Sequence, residues 1–370
     1  MTKNNEKSSD RLKIYNEYKT KKIQDILSKK NNFFYVSMIL ISIVMLAVAW
    51  LIESNTNSVD VNVFDGFDYR FLILILSTML IIGLLMMVGD FVVIYRRLKV
   101  RKFIPVVCAI LTQYYYSFFQ IWGRNSDRIN AEYLKASGID AEFANSMTAN
   151  KSISSRISTV IYSMIVLILG TIFAIKSINL FLYVVSIIAF VVLLVIVLFV
   201  LYFEKYPHKY LLLIGKLCKF LYKLKIVKDY EKLYNNLVSK MMYYGTALKF
   251  DKLYLILQII CSFIAKFLKH SLLFFILCSF NIGGMSIFIE VLFKCTVFDL
   301  IMELFPLPNG VLLYELIFLT LFRNTFLPGY VLYGMIGYRL VTYLIITMVF
   351  AIGYWVGIRK TIEKIRNQKA

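Results

Sequence analysis

Phe305-Pro-Leu-Pro-Asn-Gly-Val-Leu-Leu-Tyr-Glu315 is the stretch that decides how this chain is read. It sets Pro306, Pro308, Gly310 and a carboxylate inside a region that is otherwise long apolar helix. Proline removes a backbone donor and breaks a helix, which frees polar backbone groups that lipid does not satisfy. Such backbone is tolerated at membrane depth only under a cover of protein or beside a water-filled cavity. Asn309 and Gly310 suit the tight break, because both tolerate left-handed geometry. Glu315 adds an ionisable group to a span, which is costly and marks a functional candidate. A broken helix carrying an acid is how many transporters build a substrate site near the midplane.

The surrounding composition agrees. Hydrophobic residues make up 59% of the chain and the mean hydropathy is +0.70. Several apolar runs reach the length of a span, about 20 residues. Five prolines and sixteen glycines are few for so long a chain, which favours long helices. Runs such as 181–203 lack the polar–apolar alternation of a barrel strand. The expected fold is therefore an all-α polytopic integral membrane protein. It has about seven or eight membrane helices, two of its segments being broken or re-entrant.

Charge placement sets the expected topology. Residues 1–32 hold nine Lys/Arg against four acids, and 96–102 hold five bases. Residues 204–252 hold eleven bases against four acids, and 358–370 five against one. The positive-inside rule puts all four in the cytoplasm. Segment 53–69 carries four acids and no base, which fits the outer face. The division is a basic tail at 1–32, a transmembrane domain at 33–357 and a basic tail at 358–370. Both termini are expected inside a bacterial plasma membrane. Stretch 10–30 reads either as a frayed tail or as an interfacial helix on anionic lipid. The bases flank spans and form no single groove, so anionic headgroups, and not nucleic acid, are the expected partners.

Segment 103–156 must leave and return to the same side. Its part from 123 to 156 holds nine charged residues, so the reading is a re-entrant segment. Within it, Ser126 and Gly138 bracket a short polar helix, and Asp140 caps a second through Met147. The second short or broken segment is 303–322, after a charged run with Glu290, Lys294, Asp299 and Glu303. A broken segment in each half points to a transporter site.

The candidate binding residues follow from these breaks. Glu315 either lines a polar cavity or pairs with a base such as Arg339. Arg339, midway along the last span, either takes a lipid phosphate in its planar fork or partners an acid. By spacing, Lys266 shares a helix face with Lys269 and with His270, and the three either hold an anionic headgroup or snorkel beside a helix break. Arg124 and Arg128, after Tyr114–Tyr116, either suit a headgroup interface or belong to a solvated loop with an aromatic belt. Glu290 and Lys294 have ion-pair spacing; Asp299 and Glu303 are like charges at the same spacing and need a base nearby.

Other chemistry finds little in the sequence. The five cysteines show no disulfide or zinc spacing, and two histidines exclude a histidine-rich metal site. There is no Walker or dinucleotide glycine motif, and no catalytic residue or cofactor is expected.

Pro306 to Glu315, followed by Arg339 in the next span, resembles the transmembrane region of the lysylphosphatidylglycerol synthase/flippase family (multiple peptide resistance factor family). That family shows Pro-x-Pro-Gly-Gly-x-Gly-x-x-Glu; here Asn309 and Leu312 replace two of its glycines. Gly123 to Ile139 looks like the family's glycine-rich re-entrant segment. The resemblance implies lipid translocation: flippase-like movement of aminoacylated or other charged phospholipid between leaflets, in support of resistance to cationic antimicrobial peptides. Full-length members add a soluble lysyltransferase domain. Segment 204–252 is expected to be too short for it, so a separate synthase or a second copy is an expected partner. Two other readings stand beside this one. One is a membrane transferase acting on phosphatidylglycerol or a lipid-linked sugar, with Asp65 and Asp68 as acids. The other is a non-catalytic partner of an envelope enzyme.

Overall fold

The computed structural model describes residues 67–98, 139–174, 177–223, 251–304, 313–327 and 330–345. It also describes most of 229–238 and scattered positions at 44–51, 107, 111 and 130–135. Both tails, most of 103–138 and the break expected at 305–312 lie outside the described residues, and with them Pro306, Pro308, Asn309, Gly310, Arg124 and Arg128.

The chain is all-helical, with no strand among the described residues. In chain order the helices are α1 (Arg70–Leu98), α2 (Ala141–Phe173), α3 (Leu180–Lys205) and α4 (Pro207–Lys223). Then come α5 (Lys252–Ser279), α6 (Met285–Leu304), α7 (Leu313–Phe322) and α8 (Val331–Arg339). A π-helical segment, Leu340–Ile345, continues α8. By length and composition, α1, α2, α3 and α5 can each cross a membrane.

Their ends carry the expected signals. Asp140 caps α2 by accepting from the Glu142 and Phe143 amides. Asn179 caps α3 through the Phe181 amide. Asp251 caps α5 through the Leu253 and Tyr254 amides. At the far end of α5, the Ile282 amide reaches the Leu277 carbonyl and the Asn281 amide the Cys278 carbonyl. This paired closure needs a left-handed residue, and Asn281 supplies it at φ 60°.

Two boundaries differ from the sequence reading. The helix capped by Asp140 does not stop at Met147; it runs unbroken through the following span for 33 residues. Its polar first half is buried against protein, with Thr148, Asn150, Lys151 and Ser154 all inside. Polarity there marks protein-covered helix, so 141–156 is continuous with the span that follows. Likewise α5 shows no break at Lys266–His270.

Helix α5 is the axis of the bundle, packed on α1, α2, α6 and α8. It lies antiparallel to α1. The Asp68 amide meets the Ser279 carbonyl at one end, and Arg96 and Arg97 meet Asp251 at the other. Asp68 also caps α1 through the Arg70 amide. Helix α6 packs on α2, α3 and α7. Lys294 of α6 is fully buried and bonds Glu290 at 2.7 Å and Thr325 at 2.8 Å. The ion-pair spacing read in the sequence thus ties α6 to the turn after α7. The apolar faces of α1 and α3 point outward, as lipid-facing helices do.

Two consequences are measurable. Gly170 of α2 backs onto Phe293 of α6, and a methyl at 170 would overlap that ring. Gly170→Ala should cost about 1–3 kcal/mol by overpacking, seen as a lower Tm in detergent; an unchanged Tm would rule out this α2–α6 contact. Asp251 gives the second. Burial alone would raise its carboxyl, but the Tyr254 amide, Arg97 and Arg96 outweigh burial and hold it below the ordinary value. A lowered carboxylate contributes stability that is complete above its unfolded value, about 4, and is lost as pH falls through the folded value. Tm should therefore drop in acid, and Asp251→Asn should flatten that limb of the profile. An identical acid limb in the variant would contradict the assignment.

Candidate functional site

Helix α5 brings its polar residues to a layer near the middle of the bundle. Lys266 and Lys269 lie 14 and 17 residues beyond Lys252 in a 28-residue helix, so each is about 15 Å or more from either helix end. Lys266 Nζ donates to Thr159 Oγ1 of α2 at 3.0 Å. Lys269 Nζ reaches both Asp299 oxygens of α6 at 3.2 Å. His270 Nε2 sits 3.0 Å from Asp299 Oδ2, and His270 Nδ1 sits 3.0 Å from the Tyr162 hydroxyl. Asp299, read in the sequence as a like-charge problem beside Glu303, thus has two basic partners on α5.

The layer is open on one side. His270 is buried, whereas the Lys269 side chain is 42% exposed and Asp299 20%. An ammonium–carboxylate pair at this depth, reachable from the bundle flank, can meet a charged group arriving from outside the protein.

On the other side the layer continues into α7 and α8. Tyr338 stands beside Cys295 and within electrostatic range of Asp299. Next to it, Arg339 forms an ion pair with Glu315, which lies in the first turn of α7. Both are enclosed, at 5% and 1% exposure. The Arg339 guanidinium also covers the Tyr314 ring at 4.5 Å. Tyr314 stacks on Phe318 and meets Phe298 edge-on, so aromatic rings wall the pair. Of the two sequence readings of Glu315, the geometry realises the pairing with Arg339. The π-helical turn begins immediately after Arg339, and such turns occur often at functional sites.

A second charged cluster was missed by the sequence reading. Asp90 of α1 is buried and takes Lys151 Nζ of α2 at 2.7 Å on Oδ2. Its Oδ1 accepts from the Tyr254 hydroxyl at 2.6 Å and from Gln258 Nε2 at 2.9 Å, both on α5. Gly89 is what lets Gln258 approach, since a methyl there would overlap the amide. The signal was present: Asp90 is the one acid in the apolar run 71–95, and an intramembrane acid is a functional candidate by default. Among the described residues, no three His, Cys, Asp or Glu side chains gather to hold a metal ion.

No protein-family model, curated protein or solved structure matches this chain. The functional reading therefore stands on the layer itself. Of the eight binding candidates, Lys266, Lys269, Glu315 and Arg339 belong to it, and the other four lie outside the described residues.

Proposed function

We propose that this chain moves phospholipid with a charged headgroup between the leaflets of a bacterial plasma membrane. The observation that carries the reading is the partly exposed Lys269–Asp299 pair midway along the bundle, backed by Lys266, His270 and the Glu315–Arg339 pair. A headgroup crossing a bilayer loses water, and the cost is met by charges waiting at the depth where it peaks. A phosphate suits Lys269 and Lys266; the amine of an aminoacylated headgroup suits Asp299. The acyl tails stay in lipid beside the exposed flank. The topology that goes with this reading has cytoplasmic termini, seven or eight membrane helices and broken segments at 103–138 and 303–322, with aminoacylated phosphatidylglycerol from a separate synthase as the substrate. The sequence resemblance supports the same reading.

The test is leaflet-resolved lipid analysis of cells with and without the chain, in a strain that makes lysylphosphatidylglycerol. The outer-leaflet share should rise several-fold with the chain while total lysyl lipid stays constant. A rise in total lysyl lipid would instead favour the transferase reading.

A further inference from the structure

The Asp90 cluster is joined to the mid-depth layer by a polar stripe. On α2, Lys151, Ser154, Ser158 and Tyr162 follow one another at three- or four-residue spacing and so share one face. All four are buried. Each step covers about 4.5–6 Å along the helix axis, so bridging waters would complete the path from one polar group to the next. Ser154 Oγ donates to the Asn150 carbonyl and keeps its own lone pairs free to accept. Ser158 Oγ is buried and has no hydrogen-bond partner among the described residues, midway along the stripe. A buried hydroxyl without a partner costs free energy unless something visits it. At the upper end, the Tyr162 hydroxyl touches one ring nitrogen of His270, and the other nitrogen touches Asp299. A neutral imidazole holds a donor on one nitrogen and an acceptor on the other, so it can take a proton on one side as it gives one on the other. Asp299 meets Lys269, where the chain of polar groups reaches the exposed flank.

We propose that Asp90 and Lys151 form a proton-exchange site, and that the α2 stripe carries protons between it and the His270–Asp299 layer. Among the described residues, the groups facing Asp90 are Lys151 from α2 and Tyr254, Gln258 and Cys261 from α5. Those facing His270 are Tyr162 from α2, Thr296 and Asp299 from α6, and Lys266 and Lys269 from its own helix. Transfer of a proton from the Lys151 ammonium to the Asp90 carboxylate leaves a neutral amine and a neutral acid. The amine then takes a proton from the stripe, and the acid gives its own to water, which restores the charged pair. Stability alone does not call for such a pair. Buried acid–base pairs are often replaced by apolar side chains at no loss, whereas a proton path cannot be. The proposal rests on the transport reading, to which it supplies a driving force.

The test uses the full chain in vesicles of phosphatidylethanolamine and phosphatidylglycerol, with a lumenal pH-sensitive dye and a fluorescent lysylphosphatidylglycerol analogue as lipid reporter. Under an imposed pH gradient, wild-type protein should admit protons well above protein-free vesicles. Asp90→Asn and Lys151→Met should lower that flux by about tenfold or more, and Asp90→Glu should retain much of it. Ser158→Ala removes only a hydroxyl and should also slow the flux; it decides the matter should Asp90→Asn fail to accumulate. Wild-type flux in Ser158→Ala or in folded Asp90→Asn, or protein-free flux in the wild type, would overturn the proposal. Proton flux with an immobile lipid reporter would leave the proton site standing and remove the transport reading.

Discussion

Glu315→Gln is expected to lower thermal stability and to stop lipid movement together. The carboxylate and Arg339 are enclosed by aromatic rings, and removing one partner of a buried pair costs about 3–5 kcal/mol. The double variant Glu315→Gln, Arg339→Gln removes both charges and should regain most of the lost Tm. It should not regain translocation, because transport in this account needs the charges and not only the contact. Detergent Tm and vesicle translocation, measured on the single and double variants, separate the two roles. A fully active double variant would make the pair purely structural. A stable and active single variant would make it irrelevant.

The second large effect is expected at Asp299. Asp299→Asn keeps the shape and a hydrogen-bonding oxygen but withdraws the charge that faces Lys269 and His270. Translocation should slow by about tenfold or more. Stability should fall by about 1–3 kcal/mol, the cost of a weakened buried hydrogen bond. Lys269→Ala should slow translocation to a similar degree with little change in Tm, since its side chain is already half-exposed. Wild-type rates in both variants would remove the mid-depth layer from the mechanism.

The sequence made some of this legible. Apolar run length foretold α1, α3 and α5, and single residues foretold caps such as Asp140. Lys266 and Lys269 were suspect as bases on one helix face, and Asp299 as a like charge beside Glu303 that needed a base nearby. Their pairing was not legible, since Lys269 and Asp299 sit on different helices and spacing rules reach only along one. The same limit hid Lys151: it stood in the polar part of the segment read as re-entrant, yet its partner Asp90 lies 61 residues earlier on another helix. The continuity of α2 was hidden for a related reason. Polar residues end a helix in lipid but not where protein partners receive them, as Asp90 receives Lys151.

The central claim is that charges at mid-depth carry a charged headgroup across the bilayer. Its most direct test is a quench assay on proteoliposomes with a fluorescent lysylphosphatidylglycerol analogue and a membrane-impermeant reductant. The account predicts that wild-type protein brings inner-leaflet reporter to the reductant much faster than protein-free vesicles, and that the Lys269→Ala, Asp299→Asn double variant returns the rate to the protein-free level. Equal rates for wild-type and empty vesicles, or for wild-type and the double variant, would contradict it.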